Sequence, residues 1–141
     1  MRTAMVSMVA CLGLSAAAAA WAADTVREQA VQFAHGKSSA TVKDKIKGDE
    51  SVNYRLGAAA GQTMTVTLKP SNRSTYFNVI APGADSAMFI GSTDGNKFSG
   101  TLPKSGDYVV QVYLMRNAAR RNESSSYSID FKIAGAPAAK P

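Results

Sequence analysis

Two stretches decide the fold class: Tyr108-Val-Val-Gln-Val-Tyr-Leu114 and Tyr127-Ser-Ile-Asp-Phe-Lys-Ile133. In the first, Tyr108, Val110, Val112 and Leu114 leave one side of the chain, with Asp107 and Gln111 on the other. In the second, Tyr127, Ile129, Phe131 and Ile133 oppose Ser126, Ser128, Asp130 and Lys132. A period of two is the mark of a half-buried strand, because successive side chains point to opposite faces. Between them runs a polar connection, Met115 to Ser125, holding Arg116, Arg120 and Arg121. The expected arrangement is a hairpin that displays a cluster of positive charge at a sheet edge. That connection is the candidate for function.

The same period recurs upstream. Gln29 to Phe33 reads as a first strand, and Ala40, Val42, Asp44 and Ile46 alternate with Thr41, Lys43 and Lys45. Gly36-Lys37-Ser38 lacks the glycine five positions earlier that a phosphate loop needs, and a strand rather than a helix follows it. Ser51 to Leu56 and Thr63 to Leu68 are further strands, and Met64, Val66 and Leu68 face inward. Tyr76 to Ile80 is denser in apolar residues and reads as central. Met88 to Ile90 is short, Asp94-Gly95 signals a two-residue hairpin, and Lys97 to Leu102 follows. About eight short strands, turn signals between them and no helix predict an all-β fold, a small antiparallel β-sandwich. A barrel is the alternative.

The chain of 141 residues suits one domain. Residues 1–22 read as a signal peptide. Arg2 supplies the positive start, no charge follows until Asp24, and Ala20-Trp21-Ala22 forms a small-residue cleavage pattern. An uncleaved membrane anchor or a lipoprotein at Cys11 fits less well, since the run ends in alanine and Cys11 leaves too short an apolar core. Residues 23–133 then form the sandwich domain and 134–141 a flexible tail. The expected address is the periplasm, with no membrane span after cleavage. The formal charge of +6 falls by one with Arg2, and the one cysteine departs with the leader. Thiol chemistry and Cys-ligated metals are excluded, and stability must come from core burial.

Catalysis finds little support. His35 sits alone in a turn with no nucleophile motif beside it. The carboxylates are scattered singly, and Asp85 and Asp94 lack the ligand ladder of a calcium loop. No cofactor, metal or catalytic residue is expected, and the chain is read as a non-enzyme. A basic balance attracts phosphate, yet the arginine connection has no aromatic residue on which a base could stack, so nucleic acid is excluded. A charged hairpin can simply protect a sheet edge from pairing. Against that reading, all three basic residues of the connection are arginine, whose planar fork grips a carboxylate with two hydrogen bonds.

These residues carry a resemblance. The segments Gly36-Lys37-Ser38-Ser39-Ala40, Tyr54, Gly61-Gln62, Leu102-Pro103-Lys104-Ser105-Gly106-Asp107-Tyr108 and Arg116-Asn117-Ala118-Ala119-Arg120-Arg121-Asn122 resemble the periplasmic inhibitors of goose-type (g-type) lysozyme. The resemblance implies a β-sandwich that plugs the cleft of a muramidase, with g-type lysozyme as the protein partner. It implies partner-binding residues Arg116, Asn117, Arg120, Arg121 and Asn122, with Ser105, Gly106 and Asp49 beside them; Arg116 and Arg120 fall where the family places its inserting arginines. The family pattern can carry a tyrosine where Asp49 stands here, so Asp49 would need Arg55 or Lys47 to screen it from an acidic cleft. The rival reading is a periplasmic accessory module that binds glycan or envelope through Tyr76, Tyr113 and Phe98.

Overall fold

The computed structural model describes residues 25–33 and 36–136. The leader, Cys11, His35 and the last five residues of the tail lie outside the described residues. Among the described residues, nine strands and two short helices follow in the order β1 (Val26–Ala30), β2 (Ser39–Lys47), β3 (Ser51–Ala58), β4 (Thr63–Pro70), β5 (Thr75–Ile80), β6 (Phe89–Ile90), α1 (Gly91–Asp94), β7 (Lys97–Thr101), β8 (Gly106–Leu114), α2 (Arg116–Arg120) and β9 (Ser124–Ala134). One sheet has the order β1-β3-β8-β5-β6 and the other β2-β9-β4-β7. Their inner faces enclose one core, in which Tyr54, Val66, Phe77, Val110, Val112, Ile129 and Phe131 have no exposed surface.

The alternating residues fall as their period requires. Tyr108, Val110, Val112 and Leu114 are buried from one sheet; Tyr127, Ile129, Phe131 and Ile133 are buried from the other. The expected hairpin is therefore corrected: β8 and β9 face each other across the core instead of pairing. Neither is an edge, since β8 lies between β3 and β5 and β9 between β2 and β4. Alternation fixes which face is buried and is satisfied equally by adjacent or facing strands.

Three further expectations change. The first strand is Val26–Ala30, and it pairs parallel with β3, so the larger sheet is mixed. Polar contacts hold this edge: Arg27 Nη1 donates to Asp44 Oδ2 (3.1 Å), and Arg55 Nε donates to Glu28 Oε2 (3.0 Å). Asp94-Gly95 ends α1 instead of forming a hairpin tip, with Gly95 at φ +100°, and the chain there passes from one sheet to the other. β5 is second from an edge, covered only by the two-residue β6.

Candidate functional site

The connection expected as a loop contains α2. Five residues make too short a helix to hold itself in water, so its position depends on what it packs against. Ala118 and Ala119 are the buried residues of α2, at 0% and 5% exposure, and both join the core. Arg116 and Arg120, four apart, share a helix face and are exposed.

The helix ends in a defined reversal. Glu123 N–H donates to the Ala118 carbonyl (3.1 Å) and Asn122 N–H to the Ala119 carbonyl (3.0 Å), with Asn122 at φ +53°. This is the paired-bond stop in which the residue after the cap takes the left-handed conformation, a role asparagine fills when glycine does not. Asn122 thus serves the chain reversal. Asn117 is exposed, and its Oδ1 accepts from the Ala118 amide (2.9 Å).

Neighbouring segments clamp this corner. Met115 N–H donates to the Ser74 carbonyl (2.8 Å), and Gly48 N–H donates to the Glu123 carbonyl (2.9 Å). Glu123 Oε1 accepts from Asn72 Nδ2 (3.0 Å) and Glu123 Oε2 from Arg121 Nε (2.6 Å). Those two bonds, Asn72 first, hold the Glu123 carboxyl below its usual range. Arg121 is thereby engaged within its own chain. Among the described residues neither Arg116 nor Arg120 takes part in an ion pair.

The β2–β3 turn stands beside α2. Together they border a cleft of about 410 Å³, with Asp49, Glu50 and Arg116 among the lining residues beside Gln111 and Tyr113 from β8. Sequence reasoning named Asp49 and Arg116, gave Tyr113 only to the rival glycan reading, and missed Glu50 and Gln111 as neighbours of Arg116. The two β8 residues were legible only as the solvent side of an alternating strand that ends next to Arg116. Arg55 does not screen Asp49, since it pairs with Glu28. Arg27 lies 4.0 Å from Glu50, which leaves Asp49 as the open carboxylate of the turn.

Ser105 and Gly106 fall elsewhere. Gly106 opens β8 with Ser105 just before it, whereas Arg116 follows its end, so the strand alone separates them by about 26 Å. Their setting is structural: Ser105 Oγ accepts from the Ala60 amide (2.8 Å), while Tyr108 Oη donates to the Lys104 carbonyl (2.7 Å). This tyrosine corner accounts for the Leu-Pro-Lys-Ser-Gly-Asp-Tyr motif. Phe98 is 8% exposed and tilted against Phe89, so it offers no platform to a glycan; Tyr76 and Tyr113 remain as cross-strand neighbours on the outer sheet face. Among the described residues no cluster of three His, Cys, Asp or Glu side chains could hold a metal ion. Nor is any helix there long and apolar enough to cross a membrane.

The sequence matches no family model. It is 32% identical over 106 residues to the inhibitor of g-type lysozyme of Escherichia coli K12, covering 73% of this chain and 78% of that protein. The chain belongs to the family of g-type lysozyme inhibitors. Among solved members, the periplasmic inhibitor of g-type lysozyme from Aeromonas hydrophila superposes with a TM-score of 0.74 at 40% identity, over 79% of this chain and all of that one. The Salmonella Typhimurium inhibitor gives 0.62 at 29% identity, over 77% and 98%. These relatives are proteinaceous inhibitors rather than enzymes, and the periplasmic address expected here is theirs.

Proposed function

We propose that this protein is a periplasmic inhibitor of g-type lysozyme that blocks the enzyme's cleft by inserting Arg116 and Arg120 from α2. The observation that carries the reading is two exposed arginines on one helix face, free of ion pairs among the described residues, on a support fixed by buried alanines. A muramidase works with carboxyl groups in its sugar groove. A guanidinium placed there gains a charge-assisted, two-pronged hydrogen bond away from bulk water.

The helix itself gives a reason for Arg120, a cation in the last turn where the helix dipole favours it, but none for Arg116. Like charges four residues apart destabilise a helix by about 0.2–0.5 kcal/mol. Arg116 also stands in the first turn, where the helix dipole disfavours a cation. Arg116, placed against both costs, and Arg120, exposed beside it, suit an outward task. Asn117 flanks them, and Asp49 replaces the aromatic contact of the second loop with a carboxylate that lines the same cleft. Arg121 and Asn122 act within the corner, holding its shape.

A turbidity assay tests the reading: protein from a periplasmic extract is mixed with g-type, chicken-type and invertebrate-type lysozymes acting on cell-wall suspensions. Lysis by the g-type enzyme is expected to stop at near-stoichiometric inhibitor while the other two proceed. Undiminished lysis by the g-type enzyme overturns it.

A further inference from the structure

The lysine charge among the described residues is concentrated on one sheet face. β2 turns Lys43, Lys45 and Lys47 to solvent, β9 turns Lys132, β4 turns Lys69 and β7 turns Lys97. These are six of the eight lysines among the described residues. The register puts Lys43, Ser128 and Lys69 in one row across three strands, so the two lysines of that row stand about 10 Å apart. Along β2 the lysines follow every second residue, about 7 Å apart. The carboxylate on this face, Asp130, accepts from Thr41 Oγ1 (2.6 Å). Among the described residues every ion pair is built on arginine, and no lysine has a carboxylate partner.

The outer face of the other sheet contrasts with this one. There Arg55 is paired with Glu28, and Asn53, Gln111 and Asn78 are neutral. The lysine face also has a distinct texture: serine and threonine fill the gaps, as in the Thr65–Ser99 contact (3.2 Å). None of the exposed large apolar residues, Val26, Met88, Ile90 and Met115, lies on it. This array of compact lysine charges offers no arginine fork for one phosphate and no aromatic for a base. Its complement is an extended plane of many anionic groups.

We propose that this face rests the protein on an anionic phospholipid membrane by charge alone, with no apolar insertion. Lysines near such a surface each add an increment of attraction that fades within a Debye length. The α2 corner lies at the end of the sandwich and stays uncovered in this orientation. The inference is independent of lysozyme inhibition.

The test is co-sedimentation of the periplasmic protein with phosphatidylglycerol-rich vesicles and with phosphatidylcholine vesicles at low and at physiological salt. Binding is expected to the first only, and to fall at least several-fold as salt rises. Two variants of equal charge change separate the face from the net charge. Lys43→Gln with Lys132→Gln should weaken binding about tenfold or more, while Arg73→Gln with Lys104→Gln should leave it near the parent's. Failure to bind phosphatidylglycerol vesicles, salt-independent binding, or equal loss in the two double variants overturns the proposal, as does capture by lipopolysaccharide alone. Thermal melts of all variants establish that each is folded.

Discussion

Gly48 and Asn122 meet where the β2–β3 turn crosses the reversal after α2. Gly48 has φ +61°, and a Cβ built on it would lie 2.8 Å from Asn122 Oδ1. The second loop of the candidate site is thereby locked against the first. Gly48→Ala should cost about 1–2 kcal/mol through the left-handed backbone, with Asn122 giving way to the new methyl. Urea denaturation measures this, and an unchanged midpoint would show that the two turns are not coupled as described.

Ala118 sets the position of both arginines because it is fully buried under the helix. Ala118→Leu overpacks that contact, which should cost about 1–3 kcal/mol and shift α2 outward. Both the melting temperature and inhibition should fall. A variant that melts earlier yet inhibits as well as the parent would detach the helix position from function.

Glu123 gives the corner a pH dependence. Its folded carboxyl is held low by Asn72 and then Arg121. A carboxyl depressed in the folded state contributes stability above its unfolded value, and that contribution is lost as pH falls through the folded value. Mild acid should therefore leave the corner intact, and stronger acid should loosen it. Carbon-detected NMR titration of the Glu123 carboxyl should give a midpoint below the ordinary glutamate value, and Glu123→Gln should remove the acid-dependent part. An ordinary midpoint contradicts the clamp.

Tyr54 and Tyr127 share a buried hydroxyl–hydroxyl bond of 2.7 Å between the sheets, and burial pushes the Tyr127 phenol far above its ordinary value. Tyr127→Phe leaves the Tyr54 hydroxyl without this partner and should cost about 1–3 kcal/mol. Adding Tyr54→Phe should cost less than a second increment of that size, because no polar group is then stranded. Strict additivity in a double-mutant cycle would mean that the bond contributes nothing.

The fold class was legible because β4, β8 and β9 each bury every second residue, and Met64, Val66 and Leu68 lie in the core as their spacing demands. What the period could not convey was partnership. β8 and β9 look like a hairpin in sequence because facing strands and paired strands produce the same alternation. Asp94-Gly95 carries the local chemistry of a hairpin turn, yet α1 before it redirects the chain to the other sheet. α2 was hidden because two alanines gave no helical apolar stripe, and its stability is tertiary. In the candidate site, Arg116, Asn117, Arg120 and Asp49 are proposed from residue type and resemblance, and the structure adds only where they stand. Ser105 and Gly106 lie in the motif that builds the Tyr108 corner, about 26 Å of strand from Arg116. Glu50, Gln111 and the place of Tyr113 beside Arg116 needed the three-dimensional neighbourhood.

The most direct measurement is the inhibition constant against g-type lysozyme for Arg116→Ala and Arg120→Ala, taken with thermal melts of each variant. Loss of a desolvated interface charge pair costs about 2–5 kcal/mol, so each substitution should weaken inhibition well over tenfold while the melt stays near that of the parent. Inhibition by both variants at the parent's strength would contradict the insertion of α2 into the enzyme.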